Sequence, residues 1–155
     1  MSHDVPGPGG FELGTDGPSA ILVGVDDTVT ATRAAWYAAG LARRQRARLI
    51  AVFVAPIGGA SSMGGAPVIV AETEAHEEMA SLMRARAEAV GQELGISVEF
   101  ITAHGDAYSE IKRIADETRA DAIVVGASAK AGHKLVGSLA VRLVRASKWP
   151  VTVVP

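Results

Sequence analysis

The C-terminal segment DAIVVGASAKAGHKLVGSLAVRLVRASKWPVTVVP, Asp121 to Pro155, breaks into four pieces. An apolar run of strand length, Ala122 to Val125, leads into a glycine-punctuated loop, Gly126 to Val136. A helix opens at Gly137-Ser138, and the β-branched run Val151 to Val154 closes the segment as a strand. Strand, loop and helix start form a geometry that holds phosphate, because free N–H groups at the helix N-terminus face the loop and the helix dipole favours negative charge there. From Ala122 onward there is no Asp or Glu, while Lys130, Lys134, Arg142, Arg145 and Lys148 are basic. The plainer alternative is an ordinary βαβ connection, whose turn needs glycines and whose short helix has a solvated basic face.

Working outward, SAILVGV (Ser19 to Val25) is a first strand that stops at Asp26-Asp27-Thr28. From about Thr28 to Arg46 the spacing turns helical, with Ala31, Ala34, Ala35, Ala38, Leu41 and Ala42 on one face and Thr28 as N-cap. RLIAVFVA (Arg48 to Ala55) is a second strand ended by Pro56, followed by a glycine-rich loop from Ile57 to Pro67 that is either a binding lid or a spacer. A second helix is expected from about Ala71 to Leu94, a third strand from Ile96 to Thr102, and a third helix from about Tyr108 to Thr118. Strands alternating with helices imply a parallel sheet with right-handed crossovers and helices on both faces. Ligands of such sheets sit beyond the C-terminal strand ends, so the loops beginning at Asp26, Ala55 and Gly126 are the ones to examine.

The totals narrow the function classes. At 155 residues the chain fits one domain, expected over 19–155, preceded by a Gly/Pro-rich tail over 1–18 that cannot bury enough surface to order itself. A hydrophobic fraction of 48% with only 5% aromatic indicates a core of Ala, Val, Leu and Ile. The net charge of -2 gives no pull toward nucleic acid or an anionic membrane, and no apolar run approaches a membrane span. Without cysteine there are no disulfides or thiolate sites, and a cytoplasmic location is the default expectation.

Familiar chemistries fail on residue type. No G-x-G-x-x-G follows the first strand, and no G-x-x-x-x-G-K-[ST] loop exists. A phosphorylation receiver would share the acidic pair of ILVGVDD, but the third strand runs into Ala103-His104 and the fourth ends in Val125-Gly126, leaving no phosphoacceptor Asp. His3, His76, His104 and His133 have no local ligand partner, so no metal site is expected. Ser138 follows Gly137 without G-x-S-x-G context, and no catalytic residue is assigned.

With the elements placed, VGVD at the first strand end, AVFVAP, HGDAYSEI, DAIVVGAS, VGSLAVRLVRAS and WPVTVVP occur in an order that resembles the universal stress protein family from about Ala20 to Pro155. The resemblance implies an α/β fold like that of the adenine nucleotide alpha hydrolases: an open, doubly wound, parallel five-stranded sheet of order 3-2-1-4-5. It implies a homodimer through the Val151 to Val154 strand, an apolar edge that invites pairing. It further implies ATP or AMP as ligand, held through a loop of the form G-x2-G-x9-G-[ST], and Mg2+ could accompany ATP. The implied nucleotide-binding residues are Gly24, Val25, Asp26, Val54, Val125, Gly126, Ala129, Gly137, Ser138 and Leu139. Asp26 would meet adenosine, the Val54 backbone would meet adenine, and the residues from Gly126 to Leu139 would surround ribose and phosphates.

Two departures from that pattern are visible. Ala129 stands where the second glycine is expected, and seven residues, Lys130 to Val136, replace nine before Gly137-Ser138. Lys130, His133 and Lys134 could compensate as phosphate contacts, since exposed cations attract phosphate without ideal geometry. Asp27, in place of the usual glycine, adds a charge that opposes phosphate. The expected function is a stress-response sensor or regulator that binds nucleotide weakly or in a modified pose. The alternative is a nucleotide-free dimeric interaction module of the same fold. Enzymatic activity would extend at most to slow ATP hydrolysis, for which Asp26 is the one candidate base.

Overall fold

Two-residue alternation along the strands builds the layers. The computed structural model describes residues 17–57, 61–128 and 136–155, with backbone alone for 61–64. Its elements run β1 (Ala20–Gly24), α1 (Val29–Gln45), β2 (Arg48–Ala55), α2 (Ser61–Leu94), β3 (Val98–His104), α3 (Ala107–Glu117), β4 (Ala122–Gly126), α4 (Ser138–Arg145) and β5 (Val151–Val154). All strand pairings are parallel, in the order β3-β2-β1-β4-β5. The expected 3-2-1-4-5 sheet is present.

Successive strand residues point to opposite faces. Leu22, Ile50, Val52, Ile123 and Val125 pack with Ile111 and Ile114 of α3 and Leu143 of α4. Ile21, Val23, Leu49, Ala51 and Val124 pack with Ala34, Ala38 and Ala42 of α1 and, from α2, Ala87 and Val90. With both faces covered, the central strands read as unbroken apolar runs rather than as polar and apolar in turn. Full burial of a side chain such as Ile21 or Leu22 contributes about 1.5–3 kcal/mol.

Alanines on the buried face let α1 lie close to β1 and β4. Thr28 caps the helix, its Oγ1 accepting from Ala31 N at 3.1 Å. Arg46 ends it in the left-handed conformation, φ 55°. At the opposite end of the sheet, Asp121 Oδ2 accepts from Ser19 N at 2.9 Å, Ser19 Oγ at 2.8 Å and Ala20 N at 2.9 Å, which fixes where β1 starts against β4.

The start of α2 differs from the sequence reading, and the third strand runs Val98–His104 instead of Ile96 to Thr102. Helical backbone begins at Ser61, inside the expected 57–67 loop, and is interrupted at Gly65, whose φ of 72° only glycine adopts readily. Pro67 then falls in the first turn of the following segment, where a missing N–H removes no bond. Gly65 and Pro67, which signalled a loop, thus mark a break between two helical pieces. The third strand starts at Val98 rather than Ile96, because Gly95 (φ 65°) closes α2 and Ile96 N donates to Gly91 O at 3.0 Å. Of the expected tail and loop, residues 1–16 and 58–60 lie outside the described residues.

Candidate functional site

At the C-terminal ends of β1 and β4 the chain is drawn together by short side chains. Val25 N donates to Val52 O at 2.9 Å, the last rung before β1 turns away. Asp26 Oδ1 accepts from Thr28 N at 2.8 Å, shaping the turn into α1. Thr30 Oγ1 donates to Ala127 O at 2.7 Å and so ties the first turn of α1 to the segment after β4. That approach depends on Gly126, where a Cβ would lie 2.6 Å from Ala31 N and from Thr30 C. Gly137 closes the far side, since a Cβ there would lie 2.9 Å from Ser128 Cβ.

These contacts leave a cavity of about 420 Å³ between the ends of β1, β2 and β4 and the starts of α1, α3 and α4. Every expected site residue that lies among the described ones lines it: Gly24, Val25, Asp26, Val54, Val125, Gly126, Gly137, Ser138 and Leu139. Ala129, Lys130, His133 and Lys134 lie outside the described residues. The sequence reading did not assign Thr28, Thr30, Ala31, Val52, Ala107, Ile111, Ala127, Ser128 and Ala140 to the lining. Only Thr28, Thr30 and Ala31 carried a usable signal, since they form or follow an N-cap at a strand end that faces the crevice.

The chemistry of the lining is mixed. Val52, Val54, Ile111 and Leu139 make an apolar side suited to a flat ring. Opposite them Gly137 enters α4 with extended backbone (φ -63°, ψ 161°) and no side-chain cap, so the first-turn N–H groups remain for another acceptor. Strand alternation directs the Val54 N–H and C=O to the same side as those of Val52, one step beyond the last β1 rung. Both therefore face the cavity edge rather than a neighbouring strand.

Among the described residues of the lining, Asp26 is the one ionisable side chain. Two basic residues of the last segment, Arg142 and Lys148, are engaged elsewhere. Arg142 pairs with Asp106 at 3.2 Å and lies 4.1 Å over the Tyr108 ring, and Lys148 pairs with Asp116. Asp106 caps α3, and the bonds it accepts from Ser109 Oγ and N, followed by that from Arg142, hold its carboxyl below the usual carboxylate range.

The sequence profile of the universal stress protein family matches residues 19–155. The chain belongs to this family. A universal stress protein of Burkholderia pseudomallei is 28% identical, with a TM-score of 0.72 over 88% of this chain and 96% of that one. Two other solved universal stress proteins share the fold. One, in complex with cAMP, is 23% identical with a TM-score of 0.66 over 89% of this chain and 97% of its own. The other, from Archaeoglobus fulgidus in complex with dAMP, is 24% identical with a TM-score of 0.61 over 88% and 97%. No curated protein sequence matches. The universal stress protein loop pattern expected over Gly126 to Ser138 is described at its two ends, where the glycines bring α1 and Ser128 against the strand end.

Proposed function

We propose that this universal stress protein binds an adenine nucleotide, ATP or AMP, in the cavity above β1 and β4 and serves as a stress-response sensor or regulator. One observation carries the reading: an apolar slot, a strand edge with free backbone groups at Val54, and the uncapped N-terminus of α4 open into the same 420 Å³ space. A ring would lie against Val52, Val54 and Leu139 with its polar edge on the Val54 backbone, and phosphate would sit at the Ser138 and Leu139 N–H groups. The solved relatives in complex with cAMP and dAMP support the same ligand class. Asp26 is the one carboxylate of the described lining, so Mg2+ would arrive bound to ATP phosphates rather than in a carboxylate cage.

Calorimetric titration of nucleotide-stripped protein with ATP, AMP and cAMP tests this, beside Gly137→Val, whose side chain would collide with Ser128 at the phosphate end. Saturable binding weakened at least tenfold in a variant that still shows the parent circular dichroism is the expected result. Absence of heat with all three nucleotides would refute the reading. It would leave a second one, a nucleotide-free dimeric interaction module, favoured by the engagement of Arg142 and Lys148 in ion pairs away from the cavity.

A further inference from the structure

On the other face of the sheet the layers do not close. α2 lies over β2 and β3, yet Val98 and Phe100 beneath it, and Ala87 and Val90 facing them, are all only half-buried. Residues in corresponding positions under α1, such as Ile21 and Val23, are wholly enclosed. The difference lies in side-chain size. Ala31 and Ala35 on α1 and Ala87 on α2 are too short to bridge the gap between the helices, which leaves a groove of about 520 Å³. Half-buried Val98 and Phe100 form its floor, with Leu49 and Ala51 nearly covered beneath them, Met83 forms one wall, and Trp36, 51% exposed, stands at the lip.

We propose that this groove is a second ligand site, which takes a neutral, apolar small molecule of aromatic or branched hydrocarbon character. Its volume falls within the range of about 300–1,000 Å³ typical of small-molecule sites. It equals about one turn of an α-helix roughly 10–12 Å across, too little for a helical partner. The polar groups explain the neutrality. Thr32 Oγ1 already donates to its own helix, at Thr28 O. Acidic Asp26 and Glu93 and basic Arg86 border the groove, and Arg84 lies 4.9 Å over the Phe100 ring, so charges of both signs edge an otherwise apolar lining and favour no single sign of head group. Arg86 and Glu93 are seven residues apart on α2, about 10 Å along its axis, and leave the apolar floor between them free. The groove meets the nucleotide cavity at Val25, Asp26 and Ala31, but its floor lies on the opposite face of β2 and β3, so the proposal does not rest on the nucleotide reading.

Titration with the neutral probe N-phenyl-1-naphthylamine tests the proposal in a Trp149→Phe background, where Trp36 is the remaining energy donor. Saturable probe fluorescence with matching quenching of Trp36 emission is expected, because the indole borders the groove whereas Trp149 belongs to the opposite core. Filling the groove with Ala35→Leu and Ala87→Leu should weaken the probe at least tenfold without lowering the melting temperature. Probe binding that leaves Trp36 emission unchanged would overturn the site even if the double variant fails to fold. So would the same affinity in a folded double variant, or no saturable binding at all. ATP is absent from every arm, so the result is separable from that of the nucleotide titration.

Discussion

Asp121 concentrates three accepted hydrogen bonds on one carboxylate oxygen, from residues about a hundred positions earlier. Its own N–H donates to Ala20 O at 2.8 Å, so one residue joins the start of β4 to the start of β1 through both backbone and side chain. Bonds to a charged acceptor are worth about 1.5–3 kcal/mol each when enclosed and less where water competes. We therefore expect Asp121→Ala to lose about 2 kcal/mol by urea denaturation, and Asp121→Asn to lose less because one acceptor oxygen survives. An unchanged midpoint in Asp121→Ala would show that solvent replaces these bonds. At this scale the sequence was partly legible. Asp26 and Gly137 could be placed because they lie at strand and helix ends, where ligands gather. The role of Asp121, and the 2.6 Å approach that Gly126 permits, depend on which distant backbone comes near, and no local spacing encodes that.

Elements were legible wherever burial was two-sided or periodicity strong. SAILVGV and DAIVVG read as strands from their unbroken apolar runs, and α3 was legible from Ile111, Ile114 and Ala115 after the turn at Asp106. The start of α2 was not legible, because Gly65 and Pro67 signal a loop and a helix restart equally well. β5 shows what an element can add to assembly. Pro150 O accepts from Ile123 N, and Val154 O from Ala127 N, so even-numbered residues point their backbone toward β4. Val151 and Val153 consequently direct their N–H and C=O groups to the free edge. If two copies pair along that edge, Val153→Pro removes an edge donor and leaves every β4 rung in place, as edge strands tolerate. Light scattering should then report a monomer where the parent protein is a dimer. A dimer that survives this change would place the interface elsewhere.

Across the whole molecule, stability should be divided unevenly, and the division follows from where the core lies. β1 and β4 are covered on both faces by fully enclosed residues, and Leu22, Ile123 and Val124 have no solvent exposure. Their amides can exchange only when the sheet itself comes apart, at the global free energy of roughly 5–15 kcal/mol typical of such domains. α2 is the opposite case. From Gly65 to Leu82 none of its described residues is buried, Ile69 and Val70 are exposed, and Met83 is the first enclosed side chain. Only the later turns, through Ala87, Val90 and Leu94, hold the helix to the sheet. A helical stretch without packing keeps little more than its propensity, which is marginal in water for fewer than about 12–15 residues. Native-state hydrogen exchange should therefore show amides 71–80 opening locally, several kcal/mol below those of β1 and β4, with denaturant dependence close to zero. Leu82→Ala, an exposed position, should leave both classes unchanged, whereas Met83→Ala should lower the global class by about 2–3 kcal/mol through loss of a core side chain. Protection of 71–80 equal to that of β1 would mean that the first half of α2 is covered in solution by a surface the isolated chain does not provide.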